Sequence, residues 1–136
     1  MTSESTRRSR KTPILYVWLG YWIVLFLLMH RPLPEIPRMR PGSDKIAHFF
    51  LYFLLAFLGG RCLRSFGRAL TIPGLAFWAA LYAAYAAADE WLQQFVGRDM
   101  SMGDWLADVA GIVVASLLLA ATRRSPQISE PRGPAA

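Results

Sequence analysis

The residues best suited to chemistry in this chain are polar and ionisable side chains that interrupt long apolar segments. They recur four residues apart in three groups: Asp44, His48 and Tyr52; Glu90 and Gln94; Asp104 and Asp108. Residues four apart share one face of an α-helix. Because an ionisable group inside a lipid bilayer is costly, such residues usually face a partner or a water-filled cavity. The spacing therefore predicts polar faces on three helices.

Acid-base chemistry or ligand binding would suit these residue types. His48 could act as an acid, a base or a ligand, and Glu90 and Asp108 could be its carboxylate partners, so these three are the catalytic candidates. Lys45 and Arg98 could anchor a phosphate or a carboxylate. The full set of binding candidates is Asp44, Lys45, Tyr52, Gln94, Arg98 and Asp104. A hydrogen-bond network that holds three helices in register explains the same residues equally well, and both interpretations stay open.

Several of these side chains also have a structural interpretation. Lys45 could extend to the membrane interface, Asp44 could cap the second helix, and Asp104 could be a cap or a helix-dipole partner. Arg98 could pair with Asp104 or with its neighbour Asp99.

Two neighbouring glutamines follow Glu90 in the third helix, and only one of them can share its face. Gln94 is preferred to Gln93 because it lies four residues from Glu90.

The sequence predicts no metal or other cofactor. His48 and the carboxylates could supply ligands for a divalent cation, but their spacing matches no established zinc motif such as H-E-x-x-H. A glycine-rich phosphate loop and a serine or cysteine nucleophile pattern are also missing from the sequence. The single cysteine, Cys62, excludes a disulfide within the chain.

The elements that must position these residues are four apolar blocks, and 54% of the 136 residues are hydrophobic. This distribution predicts an all-α membrane protein, a bundle of four transmembrane helices, and no site for nucleic acid despite the net charge of +6. The first block is interpreted as a retained helix, since no small-residue cleavage site follows it. The helices are predicted at about 13–29, 44–62, 73–96 and 102–122, between polar and disordered tails at 1–12 and 123–136.

The topology follows from the basic residues, which are more numerous in cytoplasmic segments. Ten Lys and Arg residues fall in the two tails and the joint between the second and third helices, and five fall in the other two joints. Both termini are therefore predicted to be cytoplasmic. Alanine-rich stretches, including Ala107, Gly111 and Ala115 on one face, predict close helix packing.

Depths within the bilayer follow from counting residues up from the cytoplasmic helix ends. At about 1.5 Å per residue, His48 and Asp108 lie roughly 20 Å up, and Asp44, Glu90 and Asp104 roughly 26 Å up. We therefore expect the polar side chains of three helices to meet in one layer in the outer leaflet.

The segments SDKIAHFFLYFLLAFL and ADEWLQQFVGRDMSMGDWLADVAGIVVA resemble the VanZ-like family. They match its D-K-x-x-H-F-x-x-Y element and its D-E-x-x-Q-x-F-x-x-x-R and D-x-x-x-D/N-x-x-G elements, and the similarity covers about residues 43 to 115. The resemblance implies a multi-pass protein of the bacterial cytoplasmic membrane, in a family whose founding member is linked to teicoplanin resistance. Many relatives carry Asn where this chain has Asp108, so its site would hold an extra carboxylate.

Three functions are compatible with these features. The favoured hypothesis is an envelope protein that binds a lipid-linked cell-wall component or an amphiphilic glycopeptide in an outer-leaflet polar pocket. The alternative is a membrane-embedded hydrolase or transferase that acts on an envelope lipid, with His48 and Glu90 in acid-base roles. A small transport or scaffold subunit is a third hypothesis. The sequence does not define the oligomeric state.

Overall fold

The computed structural model describes residues 11–31 and 42–122, and this part of the chain is all-helical, with no strand. The elements are helix α1 (Lys11–Met29), helix α2 (Ser43–Ser65), helix α3 (Ile72–Gln93), a short 3-10 turn (Gln94–Val96) and helix α4 (Met102–Ala121). The four helices predicted from the apolar blocks are thus present. The predicted disorder of the tails concerns segments that lie almost entirely outside the described residues.

Two of the helices, α2 and α4, are long and apolar enough to cross a membrane. Only 39% of the apolar window of α2 and 28% of that of α4 are buried inside the molecule. The core helix of a soluble protein would be mostly buried, so these two helices present most of their apolar surface outward. The apolar part of α1, Pro13–Met29, is shorter.

The helix ends have local causes. Thr71 caps α3, and Ser101 caps α4. Each side-chain hydroxyl oxygen accepts a hydrogen bond from the backbone N–H group three residues later in the chain. α3 was predicted to reach residue 96, but its α-helical part ends at Gln93. The last turn tightens because Gly97 N donates to Gln94 O, and Gly97 then adopts a left-handed conformation that favours glycine.

Helices α2 and α4 lie side by side and run parallel. Their first turns meet where Lys45 contacts Asp104, and their last turns meet where Arg64 Nη2 donates to the Leu119 carbonyl oxygen. α3 packs chiefly on α4, and α1 chiefly on α2. The N-termini of α2 and α4 and the C-termini of α1 and α3 therefore lie at the same end of the bundle.

Small residues permit the close approach of α2 and α4. Gly111 faces α2, and a Cβ atom there would overlap the Phe49 carbonyl oxygen. Ala115, one turn further, is completely buried. The small-residue face predicted on α4 is therefore used at these two positions.

Candidate functional site

A hydrogen bond between His48 and Asp108 lies at the centre of the polar end of the bundle. The Asp108 Oδ1 atom accepts from His48 Nδ1 at 3.0 Å. Both side chains are buried, at 3% and 1% exposure. Because the carboxylate engages Nδ1, it fixes the orientation of the imidazole ring and leaves Nε2 for other chemistry.

Glu90 joins this pair from α3. Its Oε2 atom accepts the backbone N–H of Ser101 at 3.0 Å, and its Oε1 atom is 3.5 Å from Gln93 Nε2. Since Ser101 is the N-cap residue of α4, the Glu90 carboxylate links the end of α3 to the start of α4. A backbone donor of this kind holds the carboxylate in a fixed position.

His48, Glu90 and Asp108 therefore converge, and one nitrogen or oxygen atom from each lies within 4.8 Å of the other two. We refer to these three side chains as the polar triad. The sequence placed Glu90 higher than His48, and the direction of the side chains explains why they still meet. Helical side chains tilt toward the N-terminus of their own helix. The side chains of His48 and Asp108 therefore tilt toward the polar end of the bundle, and that of Glu90, on the antiparallel α3, tilts away from it. The three side chains consequently meet at one level.

Asp89 lies beside the triad and has its own partners. The Tyr52 hydroxyl donates to Asp89 Oδ2 at 3.0 Å, and His30 Nδ1 lies 3.7 Å from Asp89 Oδ1. Tyr52 has no exposed surface, and Asp89 is only 2% exposed. Tyr52, a predicted binding residue, thus contacts a carboxylate one helical turn below His48.

Three predicted binding residues form the rim of the site instead of its interior. Lys45 Nζ lies 2.8 Å from Asp104 Oδ1 and 3.6 Å from Asp44 Oδ2. Asp44 is about half exposed and lies in the first turn of α2, where Gly42 occupies the N-cap position. The N-cap positions of α2 and α4 belong to Gly42 and Ser101, so the expected capping roles of Asp44 and Asp104 are wrong. The ion pair of Lys45 with Asp104 links the first turns of α2 and α4.

Two further predicted binding residues have partners other than the expected ones, and their predicted binding roles stay predictions. Arg98 was expected to anchor an anion or pair with a carboxylate, but its Nη1 atom donates to the Met29 carbonyl oxygen at 3.2 Å. It therefore satisfies the C-terminal end of α1. Gln94 is exposed and donates to the Trp91 carbonyl oxygen, whereas its neighbour Gln93 is buried beside Glu90.

The roles of Asp89, Gln93 and His30 were not predicted from the sequence. The first two lie on the buried face of α3 with Tyr82, Ala86 and Glu90. At about 100° per residue, the centre of that face lies roughly 90° from Gln94. Gln93 lies close to the centre of the face that all the buried residues of α3 define, so this face selects Gln93. The four-residue spacing from Glu90 alone selects Gln94. His30 follows the last apolar residue of α1 and carried no comparable signal.

The buried side chains of the site carry more negative than positive charge. Asp89, Glu90 and Asp108 are all at most 3% exposed, and His48 is the one histidine that is equally buried among the described residues. The N-termini of α2 and α4 supply partial positive charge at this end of the bundle. They offset part of the negative charge of the carboxylates.

A pocket of about 200 Å³ opens beside the triad, between α3 and α4. Glu90 and Ser101 are the polar residues of its lining, and the other lining residues are apolar: Ala87, Met100, Met102 and Trp105. The Trp105 Nε1 atom donates to the Ala83 carbonyl oxygen at 3.1 Å, which fixes the indole as one wall. The pocket surface is therefore almost entirely apolar, and the pocket lies against the buried residue Glu90.

This arrangement supports three kinds of chemistry. An imidazole oriented by a carboxylate is suited to proton transfer, an imidazole with two carboxylates is suited to cation binding, and the neighbouring pocket is suited to an apolar chain. Comparison of the chain with protein-family profiles, with curated proteins and with solved structures finds no match.

Proposed function

We propose that the chain is a four-helix, VanZ-like protein of the bacterial cytoplasmic membrane that binds an amphiphilic envelope molecule next to the polar triad. The observation that carries this proposal is the pocket between α3 and α4, which has apolar walls and is lined in part by Glu90. The bound molecule would be a lipid-linked cell-wall component or an amphiphilic glycopeptide.

Membrane insertion is supported by the surface of all four helices. Large apolar side chains are exposed on each of them, for example Ile23 on α1, Phe50 on α2, Phe77 on α3 and Leu117 on α4. Soluble monomers rarely expose contiguous apolar patches larger than a few hundred Å². Lipid would cover this surface at no cost, while the carboxylates point inward.

The site favours a particular kind of polar group. Glu90 borders the pocket, and the two basic residues near the site, Lys45 and Arg98, already have partners. A bare anion would therefore be repelled, whereas hydroxyl and amino groups could donate hydrogen bonds to the carboxylate. Both candidate ligands combine such groups with a long apolar chain, which fits the pocket walls.

The test is binding by the full chain in lipid nanodiscs, with teicoplanin and a polyprenyl-linked disaccharide as separate probes. Ala87→Trp fills the pocket and Glu90→Gln removes its charge, so each should weaken binding at least about tenfold, or about 1.4 kcal/mol. Ala80→Trp is the matched control, because Ala80 is an exposed alanine two turns earlier in α3 and does not line the pocket. The probe that binds more tightly identifies the ligand class.

Failure of both probes to bind the wild-type chain would contradict the proposal. Equal weakening by Ala80→Trp and Ala87→Trp would also contradict it, because the effect would then not belong to the pocket.

A second candidate function, a hydrolase or transferase acting on an envelope lipid, is favoured by the His48–Asp108 hydrogen bond. The oriented imidazole would be the base and Glu90 the acid. Lipid extracts of cells that overproduce wild-type or His48→Ala protein separate the two functions by mass spectrometry. Turnover predicts a lipid whose abundance changes only with the wild-type chain, and binding alone predicts identical lipid profiles.

A further inference from the structure

We propose that the polar triad of His48, Glu90 and Asp108 binds a first-row divalent cation, with Zn²⁺ or Mn²⁺ as the best-fitting ions. This inference goes beyond amphiphile binding and does not depend on it. It rests on the geometry of the three donor atoms, their chemical type and the charge buried around them.

The geometry leaves room for one cation between the three donors. The three donor atoms lie within 4.8 Å of one another. For any such triangle there is a point that lies no more than 4.8/√3, or about 2.8 Å, from all three atoms. Bonds from Zn²⁺ to nitrogen or oxygen are about 2.0 to 2.2 Å long, so inward movements of at most about 0.8 Å would complete the site. The 3.0 Å between His48 Nδ1 and Asp108 Oδ1 also matches two adjacent ligands at about 2.1 Å, and a cation bound by both atoms would replace the proton of their hydrogen bond.

The donor types select the class of cation. An imidazole combined with two carboxylates suits Zn²⁺, Mn²⁺ and similar ions, whereas Mg²⁺ and Ca²⁺ prefer oxygen ligands alone. These residue types suggested ligands in the sequence but matched no metal-binding motif, since the three donors come from three different helices instead of one short segment. Only the packing of α2, α3 and α4 brings them together.

The carboxylates around the triad also favour a cation. Asp89, Glu90 and Asp108 are buried, and the neighbouring basic groups are engaged elsewhere, Lys45 at the rim and Arg98 at the end of α1. Burying charge in a medium of low dielectric constant is costly unless opposite charge is close. A divalent ion within the triad would compensate both of its carboxylates at once.

The structure holds the donors in position before binding. Glu90 is fixed by the Ser101 N–H group, and Asp108 lies three residues before Gly111, where the backbones of α2 and α4 are in contact. Tyr52 holds Asp89 behind the triad, within electrostatic reach of both His48 and Asp108. Outer groups of this kind orient the ligands of protein metal sites.

The experiment is titration of the purified full chain in nanodiscs with Zn²⁺ and with Mn²⁺, and the bound metal is measured after dialysis. We expect saturation at about one ion per chain. His48→Ala, Glu90→Gln and Asp108→Asn should each weaken binding at least about tenfold, as changes at metal sites generally do. Asp99→Asn is the matched control, an exposed carboxylate outside the triad, and should bind as the wild-type chain does.

A wild-type measurement locates the ion even where a triad variant does not fold. The chain has two histidines, so a spectrum of protein labelled with ¹⁵N-histidine contains two sets of ring signals. Zn²⁺ should shift the His48 ring signals and leave those of His30 in place. Absence of saturable binding by the wild-type chain, or a shift of the His30 signals alone, would overturn the proposal.

Discussion

Each buried carboxylate at the polar end of the bundle has a different partner. Asp108 accepts from an imidazole, Glu90 from a backbone N–H group and Asp89 from a phenol hydroxyl. Buried polar groups need such partners, because leaving one unsatisfied costs about 1 to 3 kcal/mol. The polar residues of the site are therefore also part of what holds the helices together, and a substitution there changes stability as well as ligand binding.

Tyr52→Phe tests this coupling at a single hydroxyl group. Tyr52 is fully buried and donates to Asp89, whose Oδ1 atom has no hydrogen-bond partner within the described chain. Removing the hydroxyl should lower the free energy of unfolding by about 1.5 to 3 kcal/mol, the range for hydrogen bonds to charged groups. The measurement is a denaturant titration in mild detergent.

Tyr16→Phe is the control for that substitution, since Tyr16 is 68% exposed on α1. Its free energy of unfolding should match that of the wild-type chain. An equally unchanged value for Tyr52→Phe would mean that the Tyr52 hydroxyl adds nothing to stability.

The sequence allowed some of these residues to be predicted and not others. His48, Glu90 and Asp108 stood out because ionisable groups are rare in apolar segments, and the structure brings them together. Their chemical roles remain predictions. Asp89 and Gln93 were overlooked because the buried face of α3 depends on which helices pack against it, and spacing from Glu90 alone does not define that face.

At the scale of the helices, the contact between α2 and α4 sets the register of the site. The two parallel helices are offset almost constantly in sequence, by 59 residues at Lys45 and Asp104 and by 60 at His48 and Asp108. Gly111 allows their backbones to touch one turn from Asp108. The donor atoms of His48 and Asp108 therefore stay 3.0 Å apart only while this close approach is kept.

Gly111→Ala should disturb both packing and site. The new methyl group would overlap backbone atoms of Phe49, which have little freedom to move. Overpacking of this kind typically costs about 1 to 3 kcal/mol, and here it should also separate His48 from Asp108. The measurements are unfolding in detergent and the ¹⁵N spectrum of the His48 ring.

Gly20→Ala provides the matched helical control, because no other group lies within 4 Å of the added carbon. It should leave the His48 signal in place and should not lower the free energy of unfolding, because alanine is about 0.5 to 1 kcal/mol more favourable than glycine inside a helix. A Gly111→Ala protein with wild-type stability and an unshifted His48 signal would show that the close approach is not needed.

The sequence predicted the helices better than their partners. Uninterrupted apolar blocks fix where helices form, and the glycine and alanine residues of α4 indicated that one of its faces packs closely. Which helix would meet that face could not be predicted, because neighbouring helices in sequence often pack together. Here α2 makes its main contact with α4 instead of with the next helix, α3. Residues distant in sequence thus form the site.

At the scale of the whole molecule, the described residues bury several ionisable side chains and expose many large apolar ones. His48, Glu90 and Asp108 are buried, while residues such as Phe50 and Leu117 are more than 60% exposed. Water-soluble proteins show the opposite tendency. This inversion agrees with the expected bilayer environment, in which the triad would lie closer to one membrane surface than to the other. Which surface that is depends on the topology.

The topology can be tested with cysteine labelling, because Cys62 is the single cysteine of the chain. In a Cys62→Ala background, Arg68→Cys places a thiol in the joint between α2 and α3, and Asp99→Cys places one in the joint between α3 and α4. Both positions are exposed. The excess of basic residues around Arg68 predicts that this joint is cytoplasmic.

A membrane-impermeant maleimide added to intact cells should then label the Asp99→Cys protein and not the Arg68→Cys protein, and both should react after permeabilisation. The reverse pattern would place the polar triad near the cytoplasmic surface, where a ligand arriving from the envelope could not reach it. Labelling of both proteins in intact cells would mean that the chain does not form the proposed four-span bundle.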